Sequence, residues 1–173
     1  GTMSGVQLYL RKSSREFRGH FSLPASPFGL TGIWQDQFWR DGIKNRWPGV
    51  AGILSMIVTD WSGIAHGTKR AGTDMNKQEI VDAIVAQLRD ALQPAHSGEA
   101  NPMGMIEPED VISTHIDDAV EFDDKRMIAN HARLLIHPPG FWHTRAESKS
   151  QISNLYFAGD HVKTPIDLAT CLL

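Results

Sequence analysis

The sequence has one cysteine, no long apolar run and no excess of positive charge, and each absence excludes a class of protein. A lone Cys171 excludes an internal disulfide. No apolar run reaches the length that a membrane-spanning helix needs. A net charge of -3 and a pI near 6.2 lack the basic excess typical of nucleic-acid binding. We therefore expect no nucleic-acid partner.

The same absences indicate a compartment. A single cysteine and the lack of a charged and then apolar leader favour a reducing, cytoplasmic setting. Peripheral contact with a membrane stays open, because it needs only a modest apolar face. The basic residues Arg11, Lys12, Arg15 and Arg18 are read most simply as a solvated hairpin face, with an anionic partner as a minor alternative.

What is present is the composition of a folded domain. The chain has 173 residues, of which 41% are hydrophobic and 21% charged, so we predict a single domain over 1–173. Its last residues, TPIDLATCLL, read as the first turns of a helix that stops before it can bury a face. We therefore expect the chain to be a fragment of a longer protein.

Apolar patterns predict several strands and one long helix. Asn76 and Glu79 form a capping box, and Ile80, Ile84 and Leu88 recur at four-residue spacing, which predicts a helix over Lys77–Leu92. Asp36–Trp39 is predicted to form a turn or to begin a short helix, and a short helix is predicted around Pro108–Ser113. The predicted strands are Val6–Leu10, His20–Leu23, Leu30–Gln35, Val50–Thr59, Ala129–Ile136 and Leu155–Ala158.

These elements predict an α+β fold around a mixed β-sheet. Val50–Thr59 is nearly continuous in apolar residues, as in a strand buried on both faces, and is expected at the centre of the sheet. The first two strands are expected to pair as neighbours. Proline and glycine punctuate residues 93–110, which predicts a long loop.

The closing segment NLYFAGDHVKTPIDLAT resembles the C-terminal flavin-contacting motif of the FAD-dependent amine oxidase and phytoene desaturase superfamily. GVQLYL, GHFSLPASPFGLTGIWQDQFW, GILSMIVTDW and KQEIVDAIVAQLRDAL look like the substrate domain of the desaturase type, in the same order. The resemblance covers nearly the whole chain. It implies that residues 154–173 carry the FAD-contacting motif, with cofactor contacts at Gly159, Asp160, Leu168, Ala169 and Thr170.

Two departures from the family pattern bear on the cofactor. No G-x-G-x-x-G of a Rossmann unit occurs, so the principal FAD clamp is missing. After DLAT the family continues into a long helix, whereas this chain reads Cys171, Leu172 and Leu173. We expect weak or absent FAD binding by the chain alone and a separate FAD-binding Rossmann domain as its partner. The face that docks this partner is expected to be apolar enough to form a homodimer.

The resemblance also implies a site for a hydrophobic small-molecule substrate. Trp34, Gln35, Phe38 and Trp39 are the candidates for lining an apolar tunnel above the flavin. The alternative for each ring is ordinary core packing. Asp160 has two readings as well, since a carboxylate after a strand accepts hydrogen bonds from sugar hydroxyls or from the amides of its own turn.

Metal and hydrolase sites are not predicted. His131, His137 and His143 lie six residues apart, and no H-x-x-x-H, H-E-x-x-H or C-x-x-C occurs. G-x-S-x-G is also absent. The resemblance therefore implies part of an FAD-dependent oxidoreductase that dehydrogenates a hydrophobic substrate by hydride transfer to flavin. The catalytic residues stay unknown, and a stand-alone ligand- or protein-binding module is the alternative.

Overall fold

The chain forms two compact units, Gly1–Arg133 and Leu134–Leu173. The structure is a computed structural model that describes residues 2–14, 18–39, 42–92, 106–132, 138–159 and 161–163. This division does not test the prediction that residues 1–173 form one substrate-binding domain. Each unit is described by itself below.

The first unit contains a five-stranded sheet, and the fold is α+β as predicted. Its strands, in spatial order, are β2 (His20–Leu23), β3 (Leu30–Trp34), β4 (Gly52–Val58), β1 (Ser4–Leu10) and β5 (Val111–Ile116). The central position predicted for β4 is confirmed.

Two sequence-based expectations about this sheet are wrong. All its strand pairs are antiparallel, so the described sheet is not mixed. The first two strands are not neighbours, because β4 pairs with both β1 and β3 and thereby separates β1 from β2. The reason is burial: most residues of β4 are buried, which suits a strand in the middle of a sheet with a partner on each edge.

The long helix, α1, covers one face of the sheet. It spans Lys77–Leu92, as predicted, and buries Ile80, Ile84 and Leu88 completely. These side chains pack into one cluster with residues of all five strands of the sheet, among them Leu8 and Leu54. Because successive strand residues point to opposite faces, the sheet presents its other face away from α1.

The segment after residue 106 differs from its prediction. A single 3-10 turn, Pro108–Asp110, stands where a short helix over Pro108–Ser113 was predicted, and β5 follows at once. Next comes a two-stranded sheet of β6 (Val120–Phe122) and β7 (Met127–Asn130). The predicted strand Ala129–Ile136 therefore begins earlier than expected, and residues 133–137 lie outside the described part of the chain.

The described part of the second unit has little regular structure. It contains a 3-10 helix, Phe141–Thr144, and two isolated bridges, Ala146 with Val162 and Lys149 with Tyr156. The predicted strand Leu155–Ala158 is reduced to the bridge at Tyr156, and its residues are exposed. An apolar run by itself therefore did not specify a buried strand. Within the described residues, no helix is both long and apolar enough to cross a bilayer.

The first turn of α1 makes the fold sensitive to acid. The Glu79 carboxylate accepts hydrogen bonds from the Arg70 guanidinium and from the Asn76 amide, at 3.0 and 2.9 Å, and Asn76 Oδ1 accepts from the Glu79 amide at 3.0 Å. These bonds, with Arg70 the larger cause, lower the pKa of Glu79 below its ordinary 4.5. A lowered folded-state pKa stabilises the fold above the unfolded value, and this stabilisation is lost as the pH falls through the folded value.

We therefore expect Glu79→Gln to reduce the loss of stability on acidification. The measurement is the urea midpoint of unfolding across the acid range. Some acid sensitivity should remain, because the Ser62 hydroxyl lowers the pKa of Asp60 and the Lys125 amide lowers that of Asp123. Glu109→Gln is the matched control. An unchanged acid profile in the Glu79 variant would contradict the prediction.

Candidate functional site

A half-buried polar row lies on the sheet face opposite α1. In β1, Val6, Leu8 and Leu10 are fully buried against the α1 side, so Gln7 and Tyr9 between them point to the other face. The register places Gln7 directly between Ser55 of β4 and His115 of β5. Four polar side chains from three strands therefore share this face.

Hydrogen bonds connect this row. The Tyr9 hydroxyl donates to Gln7 Oε1 at 3.0 Å, and Gln7 Nε2 donates to Ser55 Oγ at 3.5 Å. The first bond lies within the ordinary range for a hydroxyl donor, and the second lies at the long limit for such contacts. Gln7 is therefore held from one side, while its amide has donor capacity left for another partner.

Apolar side chains border the row. Ile53 packs with Ile43 and Val50 in a small second core, against which Tyr9 is partly buried. Ile33, across from Ser55 on β3, is also buried. The result is a surface that is apolar on two sides with hydrogen-bonding groups in its middle.

Such a surface binds and orients a ligand and supplies no charge to it. Serine, glutamine and tyrosine side chains are neutral donors and acceptors at neutral pH. His115 is exposed at the β5 end of the row and is its one imidazole. The arrangement fits a mostly apolar molecule with one polar group, whose reactive chemistry comes from elsewhere.

The structure separates the four predicted substrate residues. Trp34 is 1% exposed and belongs to the core on the α1 side. Gln35 is half-buried at the start of a 3-10 helix, Gln35–Phe38, whereas Phe38 is 60% exposed. Trp39 is partly exposed and packs edge-on against Trp47, with ring centroids 5.4 Å apart. The four side chains do not converge on one cavity wall, and their substrate role stays a prediction.

Of the predicted cofactor residues, Gly159 lies within the described part. Its φ is +121°, a conformation that side chains rarely adopt, and a Cβ there would lie 3.3 Å from the His161 ring. The turn predicted at this glycine is consistent with that backbone. Asp160, Leu168, Ala169 and Thr170 lie outside the described residues.

The chain was also compared with known proteins. No family model, curated protein or solved structure matches it.

A groove of about 360 Å³ lies beside α1, away from the polar row. Gln87 lines it and is 1% exposed; Gln87 Oε1 accepts a hydrogen bond from the Phe28 amide at 3.0 Å, while its Nε2 has no partner among the described groups. At the rim, His66 Nδ1 lies 3.0 Å from an Asp90 carboxylate oxygen. An unpaired buried donor is costly, so the groove is a second candidate for small-ligand binding.

The residues described by the structure contain no cluster of three potential metal ligands. His131 lies 3.6 Å from a Glu121 carboxylate oxygen, while His137 is outside the described part. Sequence reasoning missed the polar row altogether. Its signal was available, because Gln7 and Tyr9 interrupt GVQLYL at every second position and Ser55 interrupts GILSMIV.

Proposed function

We propose that the chain is the substrate-binding part of an FAD-dependent oxidoreductase that dehydrogenates a hydrophobic substrate. The observation that carries this proposal is the half-open sheet face, on which Tyr9, Gln7 and Ser55 form a neutral hydrogen-bonded row beside apolar side chains. A substrate domain needs such a face to hold an apolar molecule in one orientation. The resemblance of the closing segment to the flavin-contacting motif is the reason for proposing FAD as the cofactor.

The lack of a charged acid or base on this face is compatible with flavin chemistry. A bound flavin would supply the acceptor for a hydride from a substrate carbon, and the proton from the adjacent carbon would pass to solvent. This chain has then to position the C–H bond and exclude water. Tyr9 and Gln7 suit the first task, since their mutual hydrogen bond limits the movement of both side chains.

Gly159 supports a cofactor contact in the second unit. Its φ of +121° is one that other residues rarely adopt, and a Cβ there would meet the His161 ring at 3.3 Å, so this turn requires the glycine that the flavin-contacting pattern has. The next residue, Asp160, supplies the carboxylate that suits a ribityl or ribose hydroxyl. We therefore assign Gly159 and Asp160 to FAD contact within this proposal, together with Leu168, Ala169 and Thr170.

The test is co-expression of the full chain with a dinucleotide-binding domain that carries G-x-G-x-x-G. We expect the purified pair to retain flavin, seen by its visible absorbance. Asp160→Asn should weaken FAD affinity about tenfold, because a charge-assisted hydrogen bond is lost. Gln7→Leu should lower substrate turnover while leaving the flavin content unchanged.

Asp118→Asn is the matched control, because Asp118 is an exposed aspartate of the first unit. Failure of the pair to retain flavin, or an equal loss in the Asp118 variant, would overturn the proposal. Retention of an apolar ligand by the chain without any flavin would instead support the alternative, a stand-alone binding module. The groove beside α1, which Gln87, His66 and Asp90 line, favours that alternative.

A further inference from the structure

Positive charge and aromatic rings are concentrated in two segments of the sequence, residues 11–19 and 35–51. Together they hold seven of the 17 lysines and arginines but only three of the 20 aspartates and glutamates. Phe17, Phe38, Trp39 and Trp47 lie in the same segments. The net negative charge of the chain therefore conceals a positive excess in these two segments, of which Lys12 is paired with Asp110, directly before β5.

The sheet topology brings these two segments to the same place. Residues 11–19 connect the end of β1 to the start of β2, and residues 35–51 connect the end of β3 to the start of β4. Because β1 is antiparallel to β4, and β3 to both β2 and β4, both connections leave from one end of the sheet. We name it the aromatic end.

Direct contacts confirm that the two connections are adjacent. The Gly19 amide donates to Gln37 Oε1 at 3.0 Å, and the Ser13 hydroxyl donates to the Asp36 carboxylate. Gln37 and Asp36 both belong to the 3-10 helix that carries Phe38. Arg18, next to Gly19, is therefore held close to the helix that presents Phe38 to solvent.

Exposed apolar and cationic groups alternate over the aromatic end. Phe38 is 60% exposed, and Trp39 and Trp47 are each 36% exposed. The Arg46 guanidinium lies 5.5 Å from the Trp39 ring centroid and 5.9 Å from that of Trp47. Arg46 and Arg18 are exposed and form no salt bridge within the described residues, so their charges are available to an anionic partner.

We propose that the aromatic end binds the surface of an anionic phospholipid bilayer. Tryptophan and phenylalanine enter the region between headgroups and acyl chains, and arginines next to them pair with lipid phosphates. Phe38 supplies the apolar insertion, while Arg18 and Arg46 supply the charge. This proposal extends beyond the proposed function and does not depend on flavin binding.

Two observations favour a bilayer over a single-stranded nucleic acid. Bases stack on open ring faces, whereas Arg46 lies over the Trp39 ring and the edge-on contact with Trp47 occupies more of it. Strand binding also uses a groove, and three grooves of the described part of the chain lie elsewhere, around α1. A patch of exposed rings suits a broad surface.

The experiment is flotation of the full chain with vesicles of phosphatidylcholine and phosphatidylglycerol in equal parts. We expect binding that weakens as salt is added and that is absent with pure phosphatidylcholine. Phe38→Ser should weaken the partition constant about tenfold. Arg18→Gln and Arg46→Gln should each weaken it about fivefold.

Matched controls exist elsewhere in the first unit. Ile128 is also 60% exposed but lies on β7, so Ile128→Ser should leave vesicle binding unchanged, as should Lys125→Gln. Circular dichroism verifies that the variants are folded. Equal binding to neutral vesicles, an equal loss in the control variants, or binding to a single-stranded oligonucleotide with no binding to vesicles would each overturn the proposal. Flavin retention by the co-expressed pair is a separate readout, so failure here leaves the proposed function standing.

Discussion

Trp34→Ala is expected to destabilise the first unit by about 4 kcal/mol, since truncation of a buried tryptophan removes its apolar contacts and leaves a cavity. Trp34 is 1% exposed within the core beneath α1, and its register partner on β4 is Leu54. The ring also lies over Gly52, where a Cβ would come within 2.9 Å of it. A loss of this size is a large fraction of the stability of an ordinary domain.

Urea unfolding followed by circular dichroism measures this effect, and Trp39→Ala is the control. Trp39 is on the exposed side of the same segment, so its truncation should cost less than about 1 kcal/mol. Trp34→Phe should recover more than half of the lost stability, which allows substrate binding to be tested in a folded protein. Similar costs for the two alanine variants would refute the assignment of Trp34 to the core.

Gly63→Ala is expected to cost about 3 kcal/mol, because the added methyl group meets main-chain atoms that cannot turn away. Its Cβ would lie 1.9 Å from the Pro27 carbonyl oxygen and 2.6 Å from the Pro27 carbonyl carbon. Displacement of this segment also disturbs the Phe28 amide, which donates to Gln87 at 3.0 Å. The clash therefore strains the link between the turn and α1.

Gly5→Ala is the matched control, because a Cβ there has no heavy atom within 4 Å. It lies in β1 and should change stability by less than about 0.5 kcal/mol. Both variants are compared by their thermal midpoints and urea midpoints. If Gly63→Ala unfolds at the wild-type midpoint, the close approach of Pro27 to Gly63 is wrong.

Local patterns in the sequence were sufficient to predict the elements whose residues carry a complete helix or strand signal. The helix Lys77–Leu92 was predicted to the residue, because the capping box of Asn76 and Glu79 and the four-residue apolar repeat give the same answer. The strand His20–Leu23 was also predicted with its observed bounds. Such agreement needs no knowledge of distant partners.

Elements that depend on partners were predicted poorly. β5 was missed because its polar residues, Ser113 to His115, give a weak strand pattern. The strand is instead stabilised by its antiparallel pairing with β1. The run Leu155–Ala158 shows the opposite error, since its pattern is strong but its residues are exposed. Propensity reports what a segment tolerates, whereas burial depends on the rest of the fold.

The candidate sites show the same limit. Trp34 and Trp39 are five residues apart and were grouped as one lining, but strand alternation and the 3-10 helix send one inward and the other outward. Net charge gave no sign of the aromatic end, because its basic residues come from two connections that meet only through the topology. The polar row could be recognised only from the register of β1, β4 and β5, which the sequence does not reveal.

The position of β1 has a consequence for synthesis on the ribosome. Leu8 is made before both of its cross-strand partners, Leu54 and Thr114, which emerge much later. Until both have left the exit tunnel, the nascent chain carries an apolar segment with two open edges. Such long-range pairing folds slowly, and the waiting segment is a natural target for a chaperone.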